Sequence, residues 1–110
     1  MPSVDTTPLI AAVDQLADRL RALPQSTLRR GAAQEGLALA RSLSKRAQRL
    51  EFGAAMEPRT MPDAGVFAVG DQVSVAGHDM AQALAEDPDS APAALEWALR
   101  EVRSAAARVG

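Results

Sequence analysis

Four stretches of this chain carry apolar residues at helical spacing, and three breaks rich in Pro, Gly and Asp separate them. A stripe that recurs every three to four residues belongs to a helix that buries one face. Four such helices in a chain of 110 residues predict an all-α fold, an antiparallel four-helix bundle around one core. The spacing gives a single helical domain over 1–110, with helices at about 8–23, 27–50, 64–86 and 91–109 and a loop at 52–63.

In the first helix Thr7 reads as the N-cap and Pro8 as the first helical residue, where a missing N–H costs nothing. Leu9, Val13, Leu16, Leu20 and Leu23 follow at steps of four and three, and Pro24 ends the run. The second helix, with Ser26 as N-cap, places Gly36, Leu43 and Leu50 seven apart, with Ala33, Ala40 and Ala47 between them. Ala32, Gly36 and Ala40 form a ladder of small residues that lets a neighbouring backbone come close. Gly31 and Gly36 each cost about 1 kcal/mol of helix propensity relative to Ala, which packing has to offset. Phe52, Met56 and Met61 give the 52–63 loop an apolar side, so it is expected to fold back over one end of the bundle. Ser90 caps the fourth helix, whose buried face is expected to be Leu95, Ala98, Leu99, Val102, Ala105, Ala106 and Val109.

Residues 63–86 admit two readings. With Asp63 as N-cap, a helix brings Val66, Val69, Val73, Ala76, Gly77, Met80 and Leu84 to one face. Alternatively, Val66–Val69 and Val73–Ala76 flank a Gly70-Asp71 turn, giving an α+β fold with a short hairpin at 66–76. The helix accounts for the whole segment and is the preferred reading.

Alanine occurs 24 times and leucine 12, against two Phe, one Trp and no Tyr. A core of Ala, Leu and Val is thin, since each missing methylene forgoes about 0.8 kcal/mol of burial. Close helix approach or pairing with a second chain is the expected remedy. The absence of cysteine excludes disulfides and thiolate metal sites and points to a reducing compartment. Met1 to Pro8 lacks the basic and apolar regions of a secretory signal, and no apolar run reaches membrane-span length. A cytoplasmic protein with no membrane partner is expected. Net charge is −2, yet residues 1–60 carry nine basic and six acidic side chains (+3) and residues 61–110 three and eight (−5). The halves are expected to attract each other inside the bundle, or to leave an acidic face for a basic partner.

No constellation of catalytic, metal-binding or cofactor-binding residues stands out. His78 is the sole histidine, and no Glu-x-x-His pair accompanies it, so neither a metal nor a cofactor is expected. Gly65 and Gly70 have phosphate-loop spacing, but Asp71 stands where that loop needs Lys. Asp71, Ser74 and His78 share one flank of helix three and are candidates for ligand contact. A Ser-His-Asp hydrolase needs a strained nucleophile turn and an oxyanion hole, neither of which a regular helix supplies, so the chain reads as no enzyme. Arg41, Lys45 and Arg49 form a basic stripe on helix two that would suit phosphate contacts. The negative net charge and the scarcity of aromatics for stacking count against nucleic acid.

Trp97 is the outlier. It lies about 140° around the helix from the centre of the expected buried face. Val75 is likewise opposite Val73 and Met80, and Phe67 is off-centre. Apolar side chains on wet faces make Trp97, Val75 and Phe67 candidate interface residues, for self-association or another protein. The function expected is a non-enzymatic protein-interaction or regulatory module. The alternatives are a nucleic-acid-associated protein using the basic stripe and a small-ligand-binding bundle.

Overall fold

Helix α1 (Thr7–Ala22) opens a bundle of four helices, completed by α2 (Ala33–Phe52), α3 (Val69–Glu86) and α4 (Ala91–Val109). The computed structural model describes residues 4–110, and no strand occurs among them. The hairpin alternative at 66–76 is thereby excluded: Val66–Ala68 form one 3-10 turn and α3 follows without interruption. Its helical period puts nine residues from Val69 to Leu84 in the interior at once, whereas a strand pair there would have no sheet to join.

The caps differ in detail from expectation. Thr7 is already helical, and its N–H donates to the Asp5 carboxylate at 3.0 Å. The Asp5 carboxyl is held below its ordinary pKa first by the Thr7 side-chain hydroxyl and second by that backbone bond. Ser90 and Ser26 make no side-chain cap; the Ser90 N–H donates to Asp87 instead. Asp63 accepts the Gly65 N–H just ahead of the 3-10 turn and caps neither that turn nor α3.

Helix two is broken where the sequence put a tolerated glycine. Gly31 has φ 143°, a conformation L side chains rarely adopt, and the Ala33 N–H reaches back five residues to the Leu28 carbonyl. The segment from Gln25 to Ala32 is therefore a separate lead-in set at an angle to α2.

Contacts fix the direction of each helix. Asp14 meets His78 and Arg21 meets Asp71, so α1 and α3 are antiparallel. Glu35 meets Arg108 and Arg46 meets Trp97, so α2 and α4 are antiparallel too. Gly36 meets Val69, at the starts of α2 and α3, and these two helices make the most extensive approach in the molecule. They run the same way. The connection between them, expected to cap one end of the bundle, instead returns along the length of α2. Gln48 exchanges two hydrogen bonds of 2.9 Å with the Arg59 backbone, and Arg41 Nε donates to the Met61 carbonyl at 2.8 Å. Phe52 and Met56 are left exposed, and only Met61 packs on the core.

The core is the thin one the composition implies: leucines of α1, Leu43, Met80, Leu84 and valines, with alanines filling the rest. No polar or charged side chain is buried among the described residues. Helices compensate by coming close. A Cβ on Gly77 would fall against Val13 Cγ1, 2.6 Å from its Cγ2 and 3.0 Å from its Cβ. One on Gly70 would sit 2.9 Å from the Ala17 carbonyl oxygen, and one on Gly36 2.7 Å from Val69. The ladder of Ala32, Gly36 and Ala40 is buried, as its spacing implies.

Gly77→Ala is expected to destabilise the fold. Overpacking against a stiff β-branched neighbour costs about 1–3 kcal/mol, more than the roughly 1 kcal/mol of helix propensity gained. In a Val13→Ala background the same change should stabilise. Urea denaturation of the four variants reads both signs. Asp5 gives a pH dependence: its lowered pKa means the cap contributes above the ordinary carboxyl range and is lost as pH falls through the folded value. Asp5→Ala should therefore lose less stability on acidification than wild type, as followed by thermal melts at a series of acidic pH values.

Candidate functional site

The flank of α3 proposed for ligand contact is drawn into the α1 seam. Asp71 accepts from Arg21 Nε and Nη2 at 2.9 and 2.8 Å, and Arg21 also reaches Asp18 at 3.0 Å. Both bonds raise the Arg21 pKa, Asp71 having the larger effect. His78 Nε2 lies 2.9 Å from Asp14 Oδ1. Asp71, Ser74 and His78 therefore do not chain together; the two ionisable groups turn away from half-buried Ser74 to partners on α1. Helical spacing placed them on one face correctly, but the approach of α1 supplied nearer partners. All four side chains are well exposed, so these contacts add little stability. Arg21–Asp71 joins the basic half to the acidic half, while Arg108–Glu35 at 2.7 Å joins them with the signs reversed.

The basic stripe is partly used inside the monomer. Arg41 holds the crossover, and Arg46 beside the stripe lies with its guanidinium 4.8 Å from the Trp97 ring centroid. Lys45 is half-buried and Arg49 exposed. Trp97 is thus half-buried, packed on the core and covered by an arginine, not displayed on an outer face. Its offset came from taking the bulky Leu95 and Leu99 as the centre of the buried stripe. The buried stripe is Ala91, Ala94, Ala98, Val102, Ala105 and Val109, which turns α4 until Trp97 rides on one shoulder.

Phe67 and Val75 do stand out, 73% and 56% exposed. Phe67 sits in the 3-10 turn, which is closed by the Ala68 N–H donating to the Gly65 carbonyl at 3.1 Å, with Gly65 at φ 95°. Beside it is a cleft of about 300 Å³ between the kinked lead-in, α2 and the returning crossover. Leu28, Ala33, Leu37, Val66 and Val69 make its apolar lining, and Arg29, Gln34, Asp63 and Gln72 its polar one. The crossover wall is braced: Gln72 donates to the Pro62 carbonyl at 2.7 Å, and Asp63 accepts from Gly65 at 2.8 Å. Val75 lies one turn beyond Gln72 on the helix surface. The sequence singled out none of the residues lining this cleft as a site, because its walls come from segments up to 44 positions apart, from Leu28 to Gln72.

Among the described residues, no group of three or more acidic, histidine or cysteine side chains is placed to hold a metal ion. No helix among them is long and apolar enough to cross a membrane. No family model, curated protein or solved structure matches the chain.

The Arg46–Trp97 contact should be measurable as structure. In a double-mutant cycle of Arg46→Ala and Trp97→Ala, a coupling of about 0.5–1 kcal/mol is expected from urea denaturation. Additive losses would show that the two side chains act independently.

Proposed function

We propose that this chain is a non-enzymatic interaction or regulatory module that binds another protein chain through the corner of α3 carrying Phe67 and Val75. The observation that carries this reading is Phe67: a large aromatic, 73% exposed, held on a hydrogen-bonded turn beside an apolar cleft. Its exposure serves no packing purpose in the monomer, whose core is closed without it. Rigid exposed aromatics next to concave apolar surface are where protein interfaces concentrate their binding energy. Trp97 leaves the set of contact residues, since Arg46 already covers it.

Small-ligand binding is the second reading, supported by the same cleft, whose volume is at the lower end for ligand pockets. Nucleic-acid binding through Arg41, Lys45 and Arg49 loses support, because Arg41 is committed to Met61. A cysteine-free chain suits a reducing compartment, and the cytoplasm is the location proposed.

Photo-crosslinking residues placed at 67, 75 and, as control, the exposed position 100 test the reading in cells. Protein adducts from 67 and 75, resistant to nuclease and absent from 100, are expected. Nuclease-sensitive adducts, or none at 67 and 75, would refute the proposal.

A further inference from the structure

We infer that the partner of the Phe67 corner is a second copy of this chain, with Phe67 of each copy seated in the cleft of the other. The inference rests on the interaction-module reading and names its occupant.

A knob and a hole lie side by side on one small surface. Phe67 is the knob, and Val66, next to it in the chain, lines the hole. In a two-fold interface every contact is made twice, so a surface must carry both halves of each contact. Here the two halves are one residue apart, which places the two-fold axis close to Val66. The cleft, at about 300 Å³, has room for a phenyl ring, and its lining from Leu28, Leu37 and Val69 matches the ring in polarity.

Charge favours the same occupant. The cleft carries Arg29 from the lead-in and Asp63 from the crossover. A second copy brings the same two opposite charges, so each Arg29 has an Asp63 on the other copy to pair with. A rim of one sign would repel its own copy; this one is self-complementary.

Both halves are also stiff before binding. The 3-10 bond from Ala68 to Gly65 fixes the backbone that carries the knob, and the Gln72–Pro62 and Asp63–Gly65 bonds brace the wall. Preorganisation lowers the ordering cost of association. The contact involves one corner of the molecule, so it falls in the small, reversible class of interface, and the dimer depends on concentration.

Sedimentation equilibrium over a broad concentration range tests this with three proteins. Wild type should approach twice the 11.5 kDa monomer mass as concentration rises. Phe67→Ala removes the knob, and Ala33→Phe fills the hole; each should weaken association at least about tenfold. Mixed together, the two variants should recover a heterodimer, because one supplies an open cleft and the other an intact Phe67. Circular dichroism establishes that both variants fold, and Leu37→Gln, which makes the lining polar, replaces Ala33→Phe should that variant misfold. A wild type that stays monomeric, a Phe67→Ala protein that still dimerises, or a mixture without heterodimer each overturns the inference. A monomeric wild type whose position 67 still crosslinks to other proteins sinks the second-copy assignment alone. Absence of any protein adduct sinks the module reading with it.

Discussion

The structure depends on how near α1 and α2 can come to α3. With so many alanines and so few aromatics, the core cannot gain its stability from large side chains, so the backbones must approach until small ones touch. Gly70 and Gly77 remove the side chains that would hold α1 away, and Gly36 does the same for α2 near Val69. Each glycine costs helix propensity, and each sits where a methyl group has no room. Helix α3 thereby becomes the central element, packed on α1 and α2, while α4 closes the remaining side against the same two helices.

That arrangement decides the connectivity. Helices α2 and α3 run in one direction, so the chain must travel back the full length of α2 before α3 can begin. A segment on such a path is exposed, and its backbone needs partners. Gln48, Arg41 and Gln72 supply them at three successive points. Two of these polar residues look like ordinary surface in the sequence, and Arg41 looks like part of a nucleic-acid stripe; all three hold the crossover. Where it rejoins the bundle, the backbone turns through Gly65 and leaves Phe67 outside and a cleft beside it.

The candidate site is thus a product of the crossover, and this explains how much of it was legible. Phe67 and Val75 were visible as apolar residues out of phase with their helix, since a helix's periodicity reads directly from spacing. Trp97 was out of phase by the same measure, yet a neighbouring arginine covers it, and no count within one helix reveals what an adjacent helix brings. The same blindness separated Asp71 from His78: both lie on the expected flank, and both are taken by α1.

Local patterning determined the four helices, their approximate ends and most of the residues they bury, because these follow from a repeat of 3.6 and from residues that stop helices. It also located the ladder of small residues on helix two. Only tertiary structure decided that Gly31 is a break, that α2 and α3 are parallel, which exposed apolar residues stay exposed, and that a cleft exists next to Phe67. Those properties depend on which helices become neighbours, and that choice is made by shape complementarity among segments far apart in the chain.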